Sequence, residues 1–183
     1  TQGGDAVIVT DVGQNQMFAA LYSKFNRTRS FITSGGLGTM GFGLPAALGA
    51  KLGVPEREVV AVLGDGGFQM TMQELGTIMQ NRIGVKIIVM NNTYLGMVRQ
   101  WQELFFNHRY SFTELENPDF QLIARAYGIP SERVMRAEEL EGALERMKRA
   151  EGSFLLEAVV LPEENVFPMV PAGASLSDLI FHS

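Results

Sequence analysis

Short apolar runs alternate along this chain with longer stretches in which apolar residues recur at helical spacing. Five runs rich in β-branched and aromatic residues predict strands over residues 6–10, 31–33, 59–63, 85–90 and 154–161. Because these runs are apolar at successive positions, we expect both faces of the sheet to be covered. The predicted fold class is α/β, a three-layer sandwich with a mostly parallel central sheet and helices on both faces.

The stretches between the strands show the i, i+3, i+4, i+7 spacing of helices with one core-facing side. Two such stripes are Phe68, Met72, Leu75 and Met79, and then Leu140, Ala143, Leu144 and Met147. Asn117 before Pro118 predicts an N-cap, and Gly128 a stop, for a helix over 118–127. We expect one domain over residues 1–161, followed by a proline-containing tail, 162–183, that is extended and then briefly helical.

Composition narrows the classes of function. The net charge is −5 and the basic residues are scattered, so nucleic acid is not an expected partner. The chain has no cysteine, which excludes disulfides and thiolate metal sites and suits a cytoplasmic protein. No apolar run approaches the 18 or so residues of a membrane span, and no membrane association is expected. The chain starts at Thr1, close to a strand, as a segment of a longer protein would.

Two motifs come at the ends of successive predicted strands, which is where open parallel sheets bind ligands. Strand 59–63 leads into Gly64-Asp65-Gly66-Gly67, and strand 85–90 leads into Asn91-Asn92. Each motif alone is an ordinary turn. If the strands are neighbours, however, Asp65 and Asn92 offer oxygen ligands to one cation, and Mg²⁺ prefers oxygen. The pairing therefore favours a magnesium site.

The single carboxylate predicts what else this cation would bind. Mg²⁺ is usually held by one or two carboxylates together with phosphates and water. A helix expected to begin after Phe68 would direct its free N–H groups at the same anion, together with the amides of Gly66 and Gly67. The pattern thus predicts a site for a metal-bound diphosphate.

A second motif supports a different ligand. Gly36-Leu37-Gly38-Thr39-Met40-Gly41 fits the dinucleotide fingerprint G-x-G-x-x-G, and Asp65 follows the next strand as its acidic residue. Against this alternative, the preceding strand is very short, and Asp65 lies 24 residues beyond Gly41, between glycines that a ribose-binding carboxylate does not need. An NAD-binding domain remains an alternative at this point.

The spacing of Gly-Asp-Gly at 64–66 and Asn-Asn at 91–92 resembles the signature of thiamine-diphosphate enzymes. Segments 33–47, 96–101 and 166–174 are similar to the catalytic subunit of acetolactate synthases, in its C-terminal domain. The resemblance implies the thiamine-diphosphate-binding fold with thiamine diphosphate and Mg²⁺ as cofactors. It also implies a carboligase that decarboxylates pyruvate and condenses it with a second 2-ketoacid in branched-chain amino-acid biosynthesis.

The resemblance also assigns roles to residues. The Mg²⁺ ligands would be Asp65, Asn92 and the backbone carbonyl of Tyr94. The cofactor would further contact Gln14, Asn15, Gly36, Leu37, Gly38, Met40, Gly64, Gly66, Gly67, Leu95, Gly96 and Met97. Residues 36–40 would hold its aminopyrimidine, and at Asn15 the family commonly has histidine. Met97, Val98 and Trp101 would line the pocket of the second 2-ketoacid, and the tail would close over the active site.

Other parts of the implied enzyme are expected outside this chain. The family's activating glutamate belongs to an N-terminal domain, so no catalytic residue is expected here, and His108 and His182 lie outside the matching motifs. FAD would bind another domain of the full-length protein. The implied assembly is a homodimer or tetramer, with a possible regulatory small subunit, and this domain alone is expected to be inactive.

Three alternatives to the synthase differ in class. A sibling thiamine enzyme, such as a 2-ketoacid decarboxylase, pyruvate oxidase or glyoxylate carboligase, would share the metal motif but not the matches at Gln100-Trp101 and 166–174. An NAD-binding domain would bind nicotinamide cofactor without Mg²⁺. A non-catalytic interaction domain would keep only the fold, and the intact Asp65 and Asn92 argue against it.

Overall fold

The computed structural model describes residues 4–171 and 173–181. Its sheet contains β1 (Val7–Thr10), β2 (Phe31–Ile32), β3 (Val59–Gly64), β4 (Lys86–Asn91), β5 (Ser131–Val134) and β6 (Phe154–Val159). These strands are all parallel and lie in the order β2-β1-β3-β4-β6-β5. The prediction of an α/β fold with a mostly parallel sheet is confirmed.

Seven helices in the described part of the chain connect these strands. They are α1 (Gln14–Tyr22), α2 (Gly43–Gly53), α3 (Asp65–Thr71), α4 (Glu74–Asn81), α5 (Gly96–Phe105), α6 (Phe120–Ala126) and α7 (Ala137–Arg149). Parallel neighbours require such crossover connections. None of the helices in these residues is both long and apolar enough to cross a membrane.

The core lies on both faces of the sheet. One cluster packs α2, α3, α4 and α6 on the strands, and its largest members include Leu44, Phe68 and Phe120, all fully buried. The rings of Phe68 and Phe120 meet edge to face at 5.4 Å. Leu155 of β6 belongs to this cluster, whereas its neighbours Phe154 and Leu156 pack with α7. Because successive strand residues point to opposite faces, helices cover both sides of the sheet.

One strand of the sheet is missing from the sequence-based prediction. β5 has the sequence Ser-Glu-Arg-Val and lies at the edge of the sheet, where only Val134 is buried. An edge strand needs few apolar residues, so it lacks the run that marks the central strands.

Two helix predictions need correction. The stripe from Phe68 to Met79 is divided between α3 and α4, because the amides of Leu75 and Gly76 donate to carbonyls only three residues back and tighten the turn. Helix α3 also begins at Asp65, before the predicted start. Helix α6 begins at Phe120 and is capped by Asp119, whose carboxylate accepts the amides of Gln121 and Leu122 at 2.8 and 3.0 Å. The predicted cap, Asn117, is bonded elsewhere.

The short helix predicted for the tail is wrong for the residues that the structure describes there. Residues 162–171 and 173–181 form turns and one antiparallel bridge between Met169 and Ile180. Pro168 and Pro171 have no N–H to donate to a helix. Ala172, within the matching tail segment, and His182 lie outside the described residues.

Candidate functional site

A cleft of about 610 Å³ lies at the carboxyl ends of β1, β3 and β4. The sheet order reverses here, since β1 connects to β2 on one side and pairs with β3 on the other, and such switch points bind ligands in α/β proteins. The predicted site residues that line this cleft are Gln14, Asn15, Met40, Gly64, Asp65, Gly66, Gly67, Asn92, Tyr94, Leu95, Gly96, Met97 and Val98.

Helices α1, α3 and α5 all begin at the cleft, with Gln14, Asp65 and Gly96 as their first residues. None of these three helices has a side-chain hydrogen bond at its N-cap, in contrast to α6. Apart from the Gly66 amide, which donates to Asp65 Oδ1, their first backbone N–H groups therefore have no capping side chain, and the positive ends of the helix dipoles face one cleft. Such an arrangement suits an anion.

Asp65 is an acidic side chain at the floor of this arrangement, and it is 1% exposed. Its Oδ1 accepts the Gly66 amide at 3.0 Å, while its Oδ2 accepts the Thr93 amide at 2.9 Å and Asn117 Nδ2 at 2.7 Å. Burial raises the pKa of the Asp65 carboxyl, and these hydrogen bonds lower it in part. A cation beside the carboxylate would offset the cost of burial.

Asn92 lies opposite, in the loop after β4. Its Oδ1 accepts the Tyr94 amide at 3.1 Å, and its Nδ2 donates to Gln14 Oε1 at 3.4 Å. Gln14 Nε2 in turn donates to Gln100 Oε1 at 3.0 Å and to the Glu164 carbonyl at 2.9 Å. The loop, α1, α5 and the tail are thus joined through side-chain amides.

Close packing explains two of the glycines at the cleft. A Cβ atom on Gly96 would lie 2.7 Å from Asn92 Nδ2 and would also overlap Gln14 Oε1. A Cβ on Gly67 would overlap Asp11 Oδ1. Both positions therefore need glycine.

Asp11 does not line the cleft but supports its walls, a role that the sequence did not predict. It is buried at the end of β1, where Oδ1 accepts the amides of Val12 and Gly41 and Oδ2 accepts the amide of Gly43 at 2.8 Å. These bonds fix the loop that precedes α2 against the ends of the strands. An isolated aspartate after a strand gave no sign of this role.

Asn15 occupies the position where the resembling family commonly has histidine. It is buried, and its Nδ2 donates to the carbonyls of Asp11 and Val62 at 3.1 and 2.9 Å. The amide is therefore used to join the first turn of α1 to β1 and β3. It lines the cleft beside Gly64.

The glycine-rich segment 36–41 follows the edge strand β2 rather than a strand at the switch point. Gly36, Leu37 and Gly38 are exposed and do not line the cleft, and Leu37 is 94% exposed. Of the four residues in this segment that are predicted to contact the cofactor, only Met40 lines the cleft. This placement gives no support to a dinucleotide site, whose fingerprint glycines approach the ligand at the switch point.

The predicted substrate residues lie along α5. Met97 and Val98 line both the main cleft and a neighbouring one of about 660 Å³, which Trp101, Gln102, Phe106 and Arg109 complete. Trp101 is 39% exposed and meets Phe105 edge to face at 5.4 Å. Core packing therefore does not account for this tryptophan.

Comparison with known proteins identifies the class. Residues 11–158 match the family described as thiamine pyrophosphate enzyme, C-terminal TPP binding domain. The match covers most of the chain, including strands β2 to β5, all of β6 but its last residue, and most of the cleft lining, whereas β1 lies just before it. This chain belongs to that family of thiamine pyrophosphate enzymes.

Individual relatives narrow the class to one group. The chain is 50% identical over 177 residues to the acetolactate synthase isozyme 2 large subunit of Escherichia coli K12, covering 96% of this chain and 32% of that protein. It is 47% identical to the acetolactate synthase large subunit of Lactococcus lactis, covering 97% and 31%. It is 46% identical to the mitochondrial acetolactate synthase catalytic subunit of Saccharomyces cerevisiae, covering 97% of this chain and 26% of that protein. The predicted resemblance is confirmed, and the chain spans about a third or less of these relatives.

Proposed function

We propose that this chain is the cofactor-binding domain of an acetolactate synthase and holds the Mg²⁺-diphosphate end of thiamine diphosphate. The observation that carries the proposal is the convergence of α1, α3 and α5 on one cleft together with the buried carboxylate of Asp65. Helix N-termini suit the diphosphate and the carboxylate suits the cation.

The residues present fit Mg²⁺ bound with a diphosphate better than Mg²⁺ bound by protein alone. Within the described residues, no group of three or more acidic or histidine side chains could hold a metal. With one oxygen each, Asp65, the side chain of Asn92 and the carbonyl of Tyr94 would fill half of an octahedron, and Mg²⁺ would complete it with phosphate oxygens and water. We assign the metal to these three residues.

The cofactor contacts follow from the lining of the cleft. Gly66, Gly67, Gly96 and Met97 would face the diphosphate, with Gln14 and Asn15 on the side of α1. Met40 would pack beneath the organic part of the cofactor, and the exposed segment with Gly36, Leu37 and Gly38 would contact the aminopyrimidine once the rest of the protein encloses it. Bound thiamine diphosphate supplies the carbanion chemistry, while this chain's residues bind and orient it.

The substrates and assembly of the whole protein are part of the same proposal. We propose pyruvate and a second 2-ketoacid as substrates, with Met97, Val98 and Trp101 lining the pocket of the second one, in branched-chain amino-acid biosynthesis. The activating glutamate and FAD would belong to other domains of the full-length protein, which would assemble as a homodimer or tetramer. A regulatory subunit and a cytoplasmic location stay predictions, since some relatives are named mitochondrial or chloroplastic.

Residues 1–161 would form the binding domain, and the tail, 162–183, would cover the site. Support for the tail's role comes from Glu164, which lines the cleft, and from Val166, whose backbone is bonded to Gln100 through both its N–H and its carbonyl at 3.0 Å. A sibling thiamine enzyme is the alternative, and the three relatives compared above, all acetolactate synthases, favour the synthase.

The test is calorimetric titration of thiamine diphosphate into this chain, with Mg²⁺ and with EDTA. We expect weak binding that needs Mg²⁺ and that disappears in Asp65→Ala. Glu138→Ala, which removes an exposed carboxylate from α7, is the control and should bind as the wild type does. Unchanged binding by Asp65→Ala would contradict the metal assignment, and turnover of pyruvate by this chain alone would contradict its predicted inactivity.

A further inference from the structure

Asn117 lies where the sequence predicts a helix cap, but its side chain is bonded to the candidate metal site instead. Its Nδ2 donates to Asp65 Oδ2 at 2.7 Å and to Asn91 Oδ1 at 2.9 Å. Its Oδ1 accepts Gln69 Nε2 at 2.8 Å. All the hydrogen-bonding groups of this amide except one acceptor lone pair are therefore used, and both of its protons point at oxygen acceptors.

The bonds continue beyond Asn117 to a second buried carboxylate. Asn91 Nδ2 donates to Glu157 Oε1 at 2.8 Å, and Glu157 is 1% exposed. Glu157 Oε2 accepts Gln121 Nε2 at 2.9 Å and Arg133 Nε at 2.7 Å. The network thus runs from Asp65, just after β3, across β4 to β6, with a carboxylate at each end and two asparagines between them.

The direction of each amide in this network is determined by its neighbours. Carboxylates only accept, so Asn91 must present its NH₂ group to Glu157 and its oxygen to Asn117. Gln69 donates to Asn117, so Asn117 must present its NH₂ group to Asp65 and Asn91. Since Asp65 Oδ2 is held by Asn117 and by the Thr93 amide, its orientation toward the cleft depends on these donors.

We infer that Asn117 is the positioning residue for the metal site, holding the Asp65 carboxylate in the orientation that binds the cation, with Gln69 fixing the direction of its amide. The inference rests on the proposed function, because it takes Asp65 as a Mg²⁺ ligand. Partners of this kind are worth roughly 10- to 100-fold in metal affinity. Asn117 itself does not line the cleft.

The first test is Asn117→Leu, which keeps the size of the side chain and removes its donors. We expect Mg²⁺-dependent binding of thiamine diphosphate, measured by calorimetry, to weaken roughly 10- to 100-fold. Binding equal to that of the wild type would overturn the inference while leaving the metal assignment to Asp65 intact. No Mg²⁺-dependent binding by the wild type would instead overturn the proposed function.

A matched pair at Gln69, which donates to Asn117 Oδ1 and, at 3.4 Å, to the Asp65 carbonyl, tests the direction of the amide while the side chains of Asp65 and Asn117 are kept. In Gln69→Glu the new carboxylate accepts from Asn117, so that amide turns and its oxygen faces Asp65. We expect binding to weaken by at least about tenfold, although an added negative charge alone would strengthen cation binding. In Gln69→Met the thioether is only a weak acceptor, so the Asp65 carboxylate still orients the Asn117 amide, and binding should stay within about threefold of the wild type. Equal or tighter binding by Gln69→Glu would overturn the inference.

Discussion

At the ends of β3 and β4 the polar side chains of the cleft are buried and bonded to one another, whereas the neighbouring face of α5 is apolar and exposed. Asp65 after β3 is 1% exposed and Asn91 at the end of β4 is 9% exposed, while Val98 is 46% and Trp101 39% exposed. The first region has its geometry fixed by this chain alone. The second needs a covering surface, which fits a chain that spans 32% or less of the relatives compared above.

This difference separates the two tasks that the proposed enzyme performs. Holding a charged diphosphate requires donors that are oriented before the ligand arrives, and buried networks provide that rigidity. Enclosing the alkyl chain of a 2-ketoacid requires apolar surfaces from several sides. We therefore expect substitutions at the strand ends to affect this chain, and substitutions on the α5 face to affect chiefly the complete protein.

The largest expected effect is that of Gly43→Ala at the first turn of α2. Its Cβ would lie 2.5 Å from Leu63 Cδ2 and 2.7 Å from the Asp11 backbone nitrogen, both in the core region behind the cleft. We expect the free energy of unfolding, measured in urea, to fall by about 2–3 kcal/mol. Gly49→Ala in the same helix has no atom within 4 Å and should gain up to about 1 kcal/mol. Equal stability of the two variants would contradict this packing.

Gln100→Leu should release the tail from α5. The substitution leaves both backbone groups of Val166 without their partner, at a cost of about 2 kcal/mol. We expect limited proteolysis to cleave residues 162–171 faster than in the wild type. Gln102→Leu on the same helix, whose bonds are to Ser111, is the control and should leave the tail protected. Equal cleavage of both variants would show that Gln100 does not hold the tail.

Gly96→Ala should weaken cofactor binding while the fold is kept. The added methyl group displaces Asn92 and Gln14 and covers the first turn of α5. We expect about tenfold weaker Mg²⁺-dependent binding of thiamine diphosphate, equivalent to about 1.4 kcal/mol. The control is Gly76→Ala, where the new Cβ would lie 3.5 Å from the Tyr127 ring in ordinary contact. Wild-type affinity in Gly96→Ala would count against a diphosphate at this turn.

Val98→Ala should have the smallest effect, because the side chain is already half exposed. We expect a loss of less than about 1 kcal/mol in the free energy of unfolding and no change in Mg²⁺-dependent binding. Val89→Ala in β4, where the side chain is fully buried, should lose about 2 kcal/mol or more by the same measurement. If Val98→Ala destabilised the chain as much, the α5 face would be part of the core.

The motifs at the ends of β3 and β4 could be predicted from the sequence because each is recognised from a few neighbouring residues. The apolar runs, the Gly-Asp-Gly turn and the Asn-Asn turn are each contained in a few residues, and parallel strands bring their carboxyl ends together. The placement of Asp65 beside the loop with Asn92 follows from those facts alone. Strand β5 was not predicted because this edge strand, which contains Glu132 and Arg133, has no apolar run.

The supporting network could not be predicted from local pattern. Asn117 reaches Asp65 across 52 residues of sequence, and Asn91 reaches Glu157 across 66. Asn117 and Asp119 are both good caps, and only the tertiary contact decides that Asp119 caps α6. Gln100 lies in a segment that resembles the family, yet its bond to Gln14 spans 86 residues. Such contacts become visible only in the folded chain.

We propose that this chain alone holds the diphosphate end of the cofactor. The most direct measurement compares calorimetric titrations of thiamine diphosphate, inorganic pyrophosphate and thiamine into the chain in the presence of Mg²⁺. We predict that pyrophosphate competes with thiamine diphosphate at one site and that thiamine, which lacks the phosphates, does not bind. Binding of thiamine as tight as that of thiamine diphosphate, or binding that is unchanged by EDTA, would contradict the claim.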